Sequence, residues 1–289
     1  MPAPPTLVTS RANTRVKQLR AAFHGHARLS GGLVAIEGEH LLQEALRSGL
    51  PIKTIFLSER IDPPAWLPRS VELLHLPEEV FASAVDTQHP QGIAALLVPP
   101  TWTLEHALPA QPRTTPLLLI AAALQDPGNL GTLIRSAEAF GATAILTTPG
   151  TVSEWNQKAL RACAGSVFRV PVIAVTPAEI AALKSRSISL LAAVAPGSEP
   201  TDTRSSIPST DANLVGPCAL MIGNEGAGLS ADLIALADTF ITIPTPGPVE
   251  SLNAAIAGSL LLYEASRQRE ASRQRSASHR SPQSPVPSP

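Results

Sequence analysis

The chain has 289 residues, 44% hydrophobic and 16% charged, with a formal net charge of −1. That length predicts two domains with a full apolar core, and a 3% share of aromatics leaves Leu, Ile, Val and Ala to fill it. No apolar run approaches the roughly 18–20 uncharged residues that span a bilayer, and the N-terminal stretch does not read as a signal peptide. Cys163 and Cys218 alone make no disulfide framework. These features predict a reduced protein of the cytoplasm with no membrane partner.

Charge is distributed unevenly. Arg11, Arg15, Lys17, Arg20 and Arg28 crowd the N-terminal segment, and Arg267, Arg269, Arg273, Arg275 and Arg280, with Glu270 among them, crowd the C-terminal end. Such clusters neutralise phosphates in nucleic-acid binders; they equally make solvated helix faces. The pattern permits RNA without requiring it.

In chain order, residues 1–29 form a basic segment with an amphipathic helix over 11–23, where Val16, Leu19 and Phe23 share a face. A small α/β domain follows over 30–99. Its strands are predicted at 33–38, 52–58, 71–76 and 92–98, with helices at 40–49 and 77–85. Residues 100–116, rich in Pro and Thr, read as an irregular linker. Alternation restarts over 117–268. Strands are predicted at 117–124, 142–148, 168–175, 189–195, 218–223 and 240–244, and helices at 130–140, 153–164, 177–184, 229–237 and 251–268. The uninterrupted apolar run LLLIAAAL at 117–124 predicts a parallel strand buried on both faces. The stretch 197–217 reads as a long polar loop, and 269–289, basic and rich in Ser and Pro, as a disordered tail.

Three loops at the C-terminal ends of predicted strands carry candidate chemistry, where open α/β sheets place their ligands. In QDPGNLGTLIR (125–135), Asn129 is placed to cap a helix beginning just after it, with Arg135 in the second turn. A simple cap and a surface charge would look the same. In IGNEGAGLS (222–230), closely spaced glycines let the backbone approach a ligand, but neither the Walker nor the dinucleotide spacing is present. Glu225 would repel a phosphate and suits a cationic or neutral ligand better. In IPTPGPVESLNAAIAGSLLLYEA (243–265), Ser251 stands at a helix N-terminus and Asn253 in its first turn, either as ordinary cap and surface residues or as part of a site. The helix behind them is apolar enough for a core or an interface. His24 and His26 have no ligand-spaced partners, and no metal site is predicted.

Taken together, N-L-G-T-L-I-R (129–135), L-M-I-G-N-E-G-A-G-L-S (220–230) and I-P-T-P-G-P-V-E-S-L-N-A-A-I-A (243–257) resemble the three motifs of the SpoU–TrmH group of RNA 2′-O-ribose methyltransferases. VAIEGEHLLQEAL (34–46) and TQHPQGIAALLV (87–98) resemble that group's substrate-binding domain. The resemblance implies a small N-terminal α/β domain followed by a knotted α/β methyltransferase domain with a parallel sheet, residues 217–265 threading the trefoil knot. It implies S-adenosylmethionine as cofactor, RNA as substrate and a homodimer using the final helix. Cofactor contacts fall on Gly223, Ile243 and Leu252, with Leu124, Asn224 and Gly228 beside them. Active-site roles fall on Asn129, Arg135, Glu225, Ser251 and Asn253.

The chain departs from the group's pattern at Thr245, where many members carry Met, in the long 197–217 loop, and in the basic tail. The group's scheme makes Arg135 a base, although a guanidinium is ordinarily protonated, so charge stabilisation is the competing role. Ribosomal RNA is favoured over tRNA by analogy with members that share the N-terminal domain. A non-catalytic RNA-binding relative would be expected to lack Arg135 or Asn253, and both are present. A nucleotide-binding α/β enzyme is favoured by the glycines alone.

Overall fold

Short apolar runs punctuated by Gly and Pro make the strands of this chain, and Leu and Ala at helical spacing make its helices. A computed structural model describes residues 6–24, 32–108, 115–196 and 205–278. Arg28, His26 and Arg280, part of the linker (109–114), part of the polar loop (197–204) and the end of the tail (279–289) lie outside the described residues. The architecture is mixed α/β, with a small N-terminal sheet and a larger one after it. Packing divides the chain into two units. One comprises 1–103, 126–135 and 152–172; the other comprises 104–125, 136–151 and 173–289.

The first unit holds a five-stranded sheet in the order β1 (Thr6–Leu7), β4 (Glu72–Leu76), β3 (Ile52–Ser58), β5 (Ile93–Leu97), β2 (Val34–Glu37). β1, β4 and β3 run parallel to one another, while β5 is antiparallel to both β3 and β2. Helix α1 (Thr14–Phe23) turns Val16, Leu19 and Phe23 into a core with Phe56 and Phe81. Helix α2 (Glu39–Arg47) buries Leu41, Leu42 and Ala45, and α3 (Glu78–Ala82) buries Val80 and Phe81. Several of the N-terminal basic side chains find partners within the same unit, the ion pairs among them at its surface. Arg15 pairs with Glu72 at 2.9 Å, Arg11 with Glu79 at 3.4 Å, and Arg20 donates to the Ser83 carbonyl and hydroxyl.

The second unit is built on a seven-stranded sheet: β10 (Ile207–Pro208), β12 (Thr239–Thr242), β9 (Ser189–Ala193), β11 (Cys218–Ile222), β6 (Leu117–Ala121), β7 (Ala144–Thr147), β8 (Val172–Ala174). Every register from β10 through to β7 is parallel. β6 and β11 are buried along their whole length, as continuous apolar strands of a parallel sheet require. Four helices of the chain beyond the linker are α5 (Pro127–Ala139), α6 (Gln157–Cys163), α7 (Pro177–Ala182) and α8 (Ala231–Leu236), and α9 (Ala254–Ser278) packs against β11 and β6.

Several expectations need correction. Within the segment read as irregular linker, Leu104–Ala107 form α4, with Ala107 buried. The strand expected over 168–175 is confined to Val172–Ala174, preceded by a 3-10 turn at Ser166–Phe168; Pro171 cannot donate to a ladder. Helix α5 starts at Pro127, so Asn129 lies inside its first turn and does not cap it. Asp126 takes that role, its carboxylate accepting from the Asn129 amide at 2.9 Å, and Pro127 suits the first helical position. Arg135 accordingly falls in the third turn.

Helix α9 starts at Ala254, leaving Ser251 outside it and making Asn253 the cap: its side-chain oxygen accepts from the amides of Ala255 and Ile256. The same helix runs on to Ser278, ten residues past its expected end at 268, so the first part of the predicted disordered tail is helical. Arg269 explains this. It is buried and donates to the carbonyls of Leu214, Thr115, Pro116 and Gly216, anchoring the helix where sequence composition suggests it ends.

Candidate active site

The C-terminal ends of β9, β11 and β12 open into one cavity of about 410 Å³, within the range that holds a small-molecule cofactor. β11 delivers the chain into the loop 223–229, which forms most of one wall. The backbone of Asn224 and Gly228 pairs in both directions, at 2.9 and 3.0 Å, closing the loop on itself. Gly223 makes this closure possible, because a Cβ there would overlap the Gly228 carbonyl carbon.

Asn224 holds the loop's shape from within. Its side-chain oxygen accepts from the amides of Gly226 and Ala227, at 2.9 and 3.0 Å, and its NH2 donates to the Ala123 carbonyl at 2.8 Å. The loop after β6 is thereby tied to the loop after β11. The Ala123 amide is itself held by the Thr148 hydroxyl at 3.0 Å.

Opposite the loop, Ala193–Pro196 after β9 and Ile243, Thr245, Ser251 and Leu252 after β12 complete the lining, with Ala254 and Ala257 from the start of α9. Ile222, Leu229, Ile234 and Ile241 make its apolar surfaces. Glu225 is the one charged residue in the lining. A cavity with apolar walls, backbone amides and a single carboxylate disfavours a phosphate and suits a ligand with an apolar body and a positive centre.

Gly223, Asn224, Glu225, Gly228, Ile243, Ser251 and Leu252 are therefore brought together around one cavity. Leu124 is fully buried and absent from the lining. Asn253 is absent from it too and caps α9. Asn129 and Arg135 stand on α5, in the other packing unit. Sequence reading overlooked Ala193–Pro196, because an Ala-Val-Ala-Pro stretch carries no chemical signature; only its position after a central parallel strand points to it. Thr245, noted in the sequence as a departure, proves to be a lining residue. Among the described residues, no cluster of His, Cys, Asp or Glu is arranged to hold a metal ion.

The SpoU rRNA Methylase family matches residues 116–263, and the MRM3-like substrate binding domain matches residues 13–95. The 23S rRNA (guanosine(2553)-2'-O)-methyltransferase RlmP of Bacillus subtilis is 33% identical over 257 residues, covering 89% of this chain and 97% of that protein. Two crystal structures with bound AdoMet superpose with a TM-score of 0.76 and 27% identity: the SpoU methyltransferase AviRb of Streptomyces viridochromogenes, and an rRNA methyltransferase of Sinorhizobium meliloti. The first match covers 90% of this chain and 99% of that one; the second covers 91% and 98%.

Proposed function

The chain belongs to the SpoU rRNA methylase family, and from that premise we propose that its cavity binds S-adenosylmethionine and serves methyl transfer to a ribose 2′-hydroxyl of ribosomal RNA. The observation that carries the reading is the cavity beyond β9, β11 and β12, whose lining has Glu225 as its only charge. When bound, S-adenosylmethionine supplies a methyl group activated by its sulfonium. The residues present fit it: Gly223 lets the wall close on Gly228, Ile243 and Leu252 offer backbone and apolar contact, Asn224 and Gly228 shape the wall, and Leu124 is buried at the end of the run that follows β6.

The remaining work belongs to residues that meet the ribose. Its oxygen must be aligned with the methyl, shielded from water and relieved of a proton; alignment alone is worth several kcal/mol. In this reading Arg135 stabilises the negative charge growing on that oxygen, with Asn129, Glu225, Ser251 and Asn253 orienting the ribose. A 2′-hydroxyl as nucleophile restricts the reaction to RNA. Residues 30–99 present the RNA and 117–268 carry out transfer, a division supported by the two family matches.

The same reading includes a trefoil knot in the second half, supported by β11 lying between the earlier strands β9 and β6. It includes a homodimer through α9, supported by the stripe Ile256, Leu260 and Tyr263, which is 52%, 43% and 52% exposed and spaced along one helix face. This reading assigns the reaction to the cytoplasm. Separately, no described helix is long and apolar enough to cross a membrane. Ribose-methylation mapping of total RNA with and without the gene tests the function. Loss of a 2′-O-methyl mark in ribosomal RNA is expected, and an unchanged map would overturn it.

A further inference from the structure

Within the first unit, the N-terminal sheet is fastened to the layer made by α5 and α6. β2 is an edge strand with a single strand neighbour, β5. The side-chain NH2 of Gln157, at the start of α6, donates to the Ala35 carbonyl of β2 at 2.9 Å, and both residues are buried. An edge strand left uncovered invites non-native pairing; here a helix side chain satisfies it. A second fastening lies next to the first. Arg169 donates to the Glu44 carboxylate at 2.8 Å and to the Ser48 hydroxyl at 3.0 Å, both on or beside α2. Gly165, with φ of +89°, lets the 3-10 turn come close: a Cβ there would lie 2.7 Å from that of Glu44.

The other side of α6 grips α5. Lys158 pairs with Asp126, the cap of α5, at 2.6 Å. Gly131 on α5 sits so close to the Ala159 carbonyl that a Cβ would overlap it. A continuous run of contacts thus leads from the sheet through α6 to the helix that bears Asn129 and Arg135. The Glu44 side chain is 13% exposed and that of Arg169 37%, so the ion pair is shielded on its carboxylate side only.

We propose that Gln157 and the Glu44–Arg169 pair are positioning residues, clamping the N-terminal sheet to the α5–α6 layer so that RNA held by that sheet presents its ribose in register with Arg135. The clamp rests on the role of Arg135 given above. It acts on geometry, not on affinity: RNA still binds the sheet, and cofactor still fills its cavity, when the clamp is broken. What is lost is alignment, where a displacement of about 1 Å can cost roughly a hundredfold in rate.

The test uses the full chain carrying Glu44→Ala, Gln157→Ala and Arg169→Ala, with ribosomal RNA purified from cells lacking the gene and radiolabelled S-adenosylmethionine. Expected are a fall in kcat of at least roughly tenfold and little change in Kd for either RNA or cofactor. Spin labels at Gln18→Cys and Arg161→Cys read the clamp without any turnover; one narrow distance distribution in the parent protein should broaden in the triple variant. In a Glu44→Cys, Arg169→Cys variant, bridging the two thiols with a short bismaleimide should restore kcat. Cys163 and Cys218 are buried and should not compete.

A kcat near that of the parent, an unchanged distance distribution, or a bridged variant that stays slow would each overturn the clamp. Parallel loss of cofactor binding would do so as well, since it would mark a merely structural role. Absence of methyl transfer by the parent protein would instead sink the reading of Arg135, while the spin-label distances would still decide whether the clamp exists.

Discussion

The side-chain amide of Asn224 donates to the carbonyl of Ala123 across a separation of 101 residues, at 2.8 Å. Ala123 is one of the few non-glycine residues here with a left-handed backbone, at φ of 51°, a conformation that costs about 1–2 kcal/mol for a residue with a Cβ. The hydrogen bonds at its carbonyl and at its amide hold that turn in place, so the residues just after β6 and the loop after β11 are braced against each other before any ligand arrives. Asn224→Ala should remove three hydrogen bonds at once. We expect a loss of about 1–3 kcal/mol in unfolding free energy and weaker cofactor binding, read by denaturation and calorimetry. Unchanged affinity would show that the brace does not shape the cavity.

Two glycines of one loop should respond in opposite ways. Gly223→Ala forces a Cβ into the Gly228 carbonyl group and should abolish cofactor binding. Gly226→Ala meets nothing nearer than the Asn224 side-chain oxygen at 3.6 Å, and should bind nearly as the parent does. Equal affinities for the two variants in a calorimetric titration would contradict the described loop closure.

Arg135→Ala should bind S-adenosylmethionine with parental affinity and lose turnover by roughly a hundredfold or more, as expected when a group stabilising charge in the transition state is removed. Single-turnover methylation of ribosomal RNA separates the two. Near-parental rates would remove Arg135 from the chemistry.

Arg269→Leu should be among the most destabilising changes in the chain. It takes the guanidinium away from the carbonyls of Leu214, Thr115, Pro116 and Gly216; Pro116 keeps the Cys218 amide as a donor, while losing the partner of the buried Leu214 carbonyl costs about 1–3 kcal/mol. The end of α9 should fray, which hydrogen exchange would detect. Protection of residues 265–278 equal to that of the parent would count against the anchor.

The Glu44–Arg169 pair should give the first unit a pH-dependent contribution. Burial raises the Glu44 carboxyl, but the guanidinium groups of Arg47 and Arg169 outweigh it and hold it below the ordinary glutamate value of 4.5. Because the folded value is depressed, the contribution is present above the unfolded value and is lost as pH falls through the folded one. The stability difference between the parent and Glu44→Gln should therefore be full near pH 6 and vanish in strong acid. A difference independent of pH would assign it to shape instead of charge.

The N-terminal basic cluster shows how far local reading reaches. In sequence Arg11, Arg15 and Arg20 fit a polyanion surface or a solvated helix face equally well; in the fold Glu79, Glu72 and Ser83 come from far along the chain to meet them. Helix boundaries failed for a similar reason. Asp126 as a cap is written locally and could have been read, whereas the extension of α9 depends on carbonyls over 50 residues away from Arg269.

By itself the sequence placed most of the strands and the order of the three motif loops, because apolar runs and glycine spacing are local properties that any fold must honour; the reaction class came from the family resemblance those motifs carry. Only the tertiary structure decided which of those residues share a cavity, that Ala193–Pro196 join them, and that α6 clasps the N-terminal sheet. Those facts are contacts between distant segments, and their energies come from the partners a side chain finds after folding.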